Sequence, residues 1–235
     1  MQRTWVRAWL GFVLAMIPAA AWSLRAQSAP ALYAKMAPLS QYLMSRQADV
    51  ALAKSAAPPS ISDHAEVVVM GGRDYETVVK GTNGFLCLVE RSWTAGANDP
   101  DFWNPRLRGP LCLNPAAARS YFPITRLKTQ LILAGKSKTE MFQAVAAAFQ
   151  QKRLPAIEPG AMCYMLSKQG YLADADNHWH PHLMFFVAPA PDASWGANLP
   201  GTPVIVAQVP EDHLTIVMVL VARWSDGSLD TSVRN

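Results

Sequence analysis

Apolar positions along this chain alternate between a helical and an extended rhythm. Leu39 to Ala56 is Ala-rich, with Leu39, Tyr42, Leu43 and Val50 near helical spacing. It predicts one helix leading into the domain, stopped at Pro58-Pro59. Val67 to Met70, Tyr75 to Val79 and Phe85 to Glu90 are rich in β-formers and are parted by Gly71-Gly72 and by Gly81-Thr82-Asn83-Gly84. Tight turns at both points predict a three-stranded antiparallel meander, its third strand apolar on both faces and therefore central. Trp93 to Pro110 reads as a polar loop. Asn114-Pro115 then predicts a helix of about two turns, with Asn as its cap and Pro123 ending it. Leu127, Thr129, Leu131 and Leu133 alternate with Lys128 and Gln130, which predicts a half-buried strand closed by Gly135. Ser137-Lys138-Thr139-Glu140 fits a capping box ahead of the stripe Met141, Val145, Ala148 and Phe149. Met162 to Leu166, Leu183 to Val187, Val204 to Gln208 and Thr215 to Ala222 complete the strands. The pattern predicts a single α+β domain, a mainly antiparallel sheet with about three helices.

The N-terminus changes this picture. Arg3 and Arg7 precede an uncharged run from Ala8 to Ile17, then Pro18 and small residues, the layout of a secretory signal peptide. Cleavage fits after Ala21 or after Ala26, and the second is expected because it brings the polar Gln27-Ser28 to the new terminus. Residues 1–26 then form the signal, 27–60 a helix and linker, 61–229 the domain and 230–235 a tail. The expected product is exported, periplasmic or secreted, with no integral span in the mature chain, because Thr215 to Ala222 is far too short for one.

At 51% apolar and 16% charged, the chain is too hydrophobic for a disordered protein. Its formal charge of +4 owes most to Arg3, Arg7 and Arg25, all within the expected signal. The remainder is close to neutral and gives no electrostatic case for a nucleic-acid partner. The three cysteines, Cys87, Cys112 and Cys163, fall in the expected mature part. An oxidising compartment allows a Cys87 to Cys112 bridge closing a loop of about 25 residues, and three buried thiols are the alternative. No Cys-x-x-Cys pair is present, which disfavours thioredoxin-type chemistry.

The candidate chemistry lies at His178-Trp179-His180-Pro181-His182, preceded by Asp174 and Asp176, where three of the five histidines fall within five positions. In extended backbone all three imidazoles face one way. Imidazole suits zinc, copper or nickel, with zinc or copper the expected cofactor, and Asp174 or Asp176 would complete or orient such a site. An open position on the metal would suit a metal-activated water and hence hydrolysis. His213 and His64 are candidates for a further ligand, and Met162, Met165 and Met184 for soft ones. The structural alternative is that the rings stack on Trp179 or bond across a loop.

Other motifs are weaker. Gly135-Lys136-Ser137 has Gln130 where a P-loop needs glycine, and no Gly-x-Ser-x-Gly or Ser-x-x-Lys string occurs. Cys163 with His178 or His180 would make a thiol nucleophile and base, whereas a strand cysteine between Met162 and Tyr164 is expected to be buried. Trp93, Phe102, Trp103, Trp179 and Trp195 fall in expected loops, suited either to lining a sugar or peptide groove or to covering the sheet ends.

The strings Ser55 to Ser60, Asn83 to Trp93, His178 to Phe185 and Trp224 to Gly227 resemble those of an uncharacterised exported bacterial protein family. The resemblance spans most of the mature chain. It implies an exported bacterial protein and carries over no activity, fold or catalytic residue. Two functional readings follow from the residues. One is a divalent-metal-binding protein, of hydrolytic type, using His178, His180 and His182 with Asp174 or Asp176. The other is a non-catalytic envelope binding or structural module that meets a small-molecule or envelope partner through its loop tryptophans.

Overall fold

Helix starts follow the side chains best able to cap them. The computed structural model describes residues 33–173 and 179–231. Ser45 accepts from Ala48 N and opens α1 (Arg46–Lys54), and α2 (Pro59–Ser62) begins at the expected proline pair. Asn114 caps α3 (Pro115–Ser120), while Ser137 and Glu140 form the capping box of α5 (Lys138–Gln150).

The segment expected as a strand, Leu127 to Leu133, is instead the C-terminal part of α4 (Phe122–Leu133). Pro123 sits in its first turn, where a missing N–H costs nothing. The buried positions are Ile124, Thr125, Lys128, Thr129 and Ile132, a helical stripe. The alternating leucines that suggested a strand are only half-buried. Three polar residues on the buried stripe, Thr125, Lys128 and Thr129, concealed the true period.

Among the described residues eight strands form one sheet: β1 (Glu66–Met70), β2 (Tyr75–Val79), β3 (Leu86–Glu90), β4 (Gly109–Leu113), β5 (Met162–Met165), β6 (His182–Val187), β7 (Val204–Val209) and β8 (Leu214–Leu220). Their order is β2-β1-β3-β4-β5-β6-β8-β7. The expected meander fails at its third strand. β1 and β2 form the antiparallel pair, but β3 lies parallel to β1 on its other side. Gly81 makes this crossing possible, because a Cβ there would run into the backbone of Ala65 and Glu66. The remaining pairs are antiparallel, so the described residues form an α+β domain with five α-helices.

The alternation of β3 separates two layers. Leu86, Leu88, Leu111, Leu113, Met184 and Phe186 pack with Ile124 and Ile132 of α4 and Met141 and Val145 of α5. On the opposite face Val67, Cys87, Val89 and Cys112 meet Leu52, Ala53 and Ala56 of α1 and its end. Cys87 and Cys112 are register partners there and form a disulfide. α1, expected as a helix leading into the domain, therefore covers half of this face. The other half, at β6, β8 and β7, carries Phe185, Val187, Val204, Val206 and Val217.

The β7 edge is blocked by a side chain. Asn198 accepts from Val206 N through Oδ1 at 3.1 Å, donates to Val206 O through Nδ2 at 3.3 Å, and donates its own N–H to Val204 O at 3.0 Å. One residue thus stands in for a ninth strand, a device that discourages edge pairing. Asn198 does so at φ 59, a conformation Asn tolerates better than most residues. No described helix is long and apolar enough to cross a membrane. The expected signal peptide, residues 1–26, lies outside the described residues.

Candidate functional site

The first strand residue of β6, His182, falls on the helix-covered face beside Met165 and Leu220. It is 6% exposed, with Trp179 packed edge-on against its ring at 5.0 Å. Trp179 is held in turn by donating Nε1–H to Ser167 O at 2.6 Å, and its ring lies against Gly170. A carbonyl only accepts, so the 2.8 Å contact from His182 Nδ1 to His180 O places the proton on Nδ1. The lone pair of His182 is therefore on Nε2. Burial, then the neighbouring His180, pushes its pKa down and keeps the ring neutral near pH 7.

His180 donates Nδ1–H to Asp230 Oδ2 at 2.7 Å. The carboxylate side chain is 1% exposed and the imidazole 35%, so a buried acid orients a partly exposed ring. A turn sets this pair. Trp224 to Gly227 reverses the chain, with Gly227 N donating to Trp224 O, and Asp230 N then reaches Ala222 O at 2.9 Å. Asp230 went unnoticed in the sequence because it falls in the expected tail. Trp224-Ser225-Asp226-Gly227 reads as a turn after the last strand, and the chain's return through it brings Asp230 beside Ala222.

Of the expected metal set, His178, Asp174 and Asp176 lie outside the described residues. Among the described residues no group of three His, Cys, Asp or Glu side chains is disposed to hold a metal ion. His213 and His64 are not brought to His182. His213 precedes β8, whose far end pairs with His182, about 20 Å away at 3.3 Å per residue. His64 precedes β1, four strand spacings or about 19 Å from β6. Cys163 is fully buried on β5, and burial pushes its thiol pKa well up, which makes it inert.

The loop aromatics do not gather on one exposed face. Trp93 and Phe102 are core residues at 0% and 1% exposure, Trp224 is buried at 6%, and Trp103 packs on the core. Trp195 differs, at 41% exposure. It edges a groove of 280 Å³ on the face that α1 leaves open, lined by Phe185, Val187, Val204, Val217 and Val219.

A second polar constellation lies inside the helix-covered layer. Lys128 Nζ meets Asp212 Oδ2 at 2.6 Å, both side chains being at most 5% exposed. Glu90 accepts from Thr125 Oγ1 at 2.8 Å and from Tyr121 Oη at 3.2 Å. Burial pushes both carboxyl pKa values up. Arg91 and Asp49 form a further buried pair at 2.9 Å, with Arg91 also donating to Tyr42 O and Val89 O. No family model, curated protein or solved structure matches the chain.

Proposed function

We propose that the histidine end of the sheet binds a divalent transition metal, zinc or copper, in an exported protein. His180 and His182 are two of its ligands, and His178 with Asp174 or Asp176 is assigned the rest. One observation carries this reading: both rings have Nδ1 engaged, by a buried carboxylate and by a carbonyl, so Nε2 is the nitrogen that each ring would offer to a metal. Carboxylate or carbonyl support behind a ligating histidine fixes its tautomer and raises its basicity. A bound metal with an open position would supply activated water.

Thermal unfolding with added zinc or copper tests the reading. Metal at about 100 times its Kd should stabilise the wild type by about 2.7 kcal/mol. His180→Ala should abolish the shift, and Asp230→Asn should weaken metal affinity about 10- to 100-fold. A wild type that neither metal stabilises contradicts the proposal.

A second reading, the envelope binding module, is favoured by Trp195 beside its apolar groove. In this reading the groove takes an apolar group, and Trp195 supplies a flat, half-exposed wall. Fluorescence of anilinonaphthalene sulfonate should rise with the native protein and fall with Trp195→Ala and Val219→Glu. Equal signals from all three would remove the groove from consideration.

A further inference from the structure

Three described residues other than glycine hold left-handed backbone: Asn198, which caps the β7 edge, Lys152 at φ 56 and His213 at φ 56. The last two line one cavity. Lys152 ends α5 just as Gly135 ends α4, with the same pair of hydrogen bonds. Gly135 N reaches Ile132 O and Lys136 N reaches Leu131 O, while Lys152 N reaches Phe149 O and Arg153 N reaches Ala148 O. Glycine meets this geometry without strain, so a lysine in the same place carries a cost that glycine would spare. His213 closes the short turn Pro210–Asp212, its N–H on Pro210 O at 3.2 Å. Strained positions cluster where function needs the side chain, and these two meet at one hollow.

The cavity has a volume of 380 Å³ and apolar walls that include Phe149, Leu154, Ile157 and Pro189. Small-molecule sites are of this kind, about 300–1,000 Å³ and mostly apolar with a few polar groups. The ring of His213 lies flat on Phe149, with centroids 4.5 Å apart and planes 9° apart, and so adds polar nitrogens to an apolar wall. The acids close by are already engaged. Asp212, also on the lining, is bound to Lys128 at 2.6 Å, and Glu158, next to Ile157 in the chain, is bound to Arg119 at 2.7 Å. Lys152 is exposed and forms no ion pair among the described residues. We propose that this cavity is a second binding site, separate from the histidine end of the sheet, which takes a small organic carboxylate. The apolar body packs against Phe149, Leu154 and Ile157, and the carboxylate meets the ammonium of Lys152 and a ring N–H of His213. One ammonium and one imidazole match a monoanion, whereas a phosphate dianion needs more donors than these walls supply.

Ligand-observed NMR titrations of the full chain with benzoate, benzyl alcohol and benzylamine test the site. The wild type should bind benzoate with a Kd of about 1 mM or tighter, at least about tenfold better than either of the other two probes. Lys152→Gly should bind benzoate at least about tenfold more weakly and no better than benzyl alcohol. Its melting temperature should stay level or rise, because glycine relieves the backbone at that position, and this separates lost binding from a lost fold. Lys152→Glu should reverse the preference toward benzylamine, and it decides the matter should the glycine variant fold poorly. A wild type that ignores benzoate, or that binds benzylamine as well as benzoate, overturns the proposal. So does benzoate affinity that is unchanged in both variants.

Discussion

Replacing Lys128 with alanine should lower stability by about 3–5 kcal/mol, because it leaves Asp212 ionised and unpaired in the core. Lys128 is 0% exposed, so no water can take over from its ammonium without opening the layer between α4 and the sheet. The variant also loses the hydrogen bond from Nζ to Thr94 O at 3.2 Å. Denaturant midpoints measure the effect, provided that the slope of the transition is unchanged. The double variant Lys128→Met with Asp212→Leu should recover most of the loss, since well-packed apolar groups replace a buried ion pair at little cost. The exposed pair Lys168 and Asp226, at 2.8 Å, serves as the control. Its removal should change stability by about 0–1 kcal/mol. A Lys128→Ala loss as small as that of the control would mean that the buried pair is open to solvent.

Removing the Cys87 to Cys112 bridge should cost about 3.5 kcal/mol. The value follows from the chain entropy released when a loop with a sequence separation of 25 is no longer closed in the unfolded state. Because both sulfurs sit on register partners under α1, the paired alanine variant should retain the sheet and lose only the constraint. Denaturant midpoints with and without reductant, compared with the Cys87→Ala/Cys112→Ala protein, give the value. Thiol alkylation supplies an independent check. The folded oxidised chain should label nowhere, since Cys163 is buried, and should gain one label on unfolding. A native protein that labels at Cys87 or Cys112, or a midpoint unaffected by reductant, contradicts the bridge.

Local chemistry made much of this fold legible. The caps at Asn114 and Ser137 and the strands around Met162, Leu183, Val204 and Thr215 follow from one or two residues each, and the structure places elements there. Two features resisted because they depend on what lies across the layer. α4 hides its period by burying Lys128 and Thr129, which bond to Asp212 and to Trp93 Nε1. β3 crosses to the far side of β1 because the backbone passes close by Gly81, and no local signal distinguishes that from a hairpin. The polar core was partly readable. Leu86, Leu88 and Glu90 share one face of a strand, so a carboxylate had to enter the apolar layer. Ile124, Lys128 and Ile132 at intervals of four place a lysine opposite it, once the segment is known to be helical. At the histidine end, His180 and His182 were visible as ligand types, whereas Asp230 is a partner only through the return of the chain after Gly227.

Metal content of untagged protein, measured by elemental mass spectrometry beside His180→Ala, bears most directly on the proposed function. The account predicts near-stoichiometric zinc or copper in the wild type and none in the variant. A folded wild type that is isolated without metal and takes up neither ion on titration would contradict it.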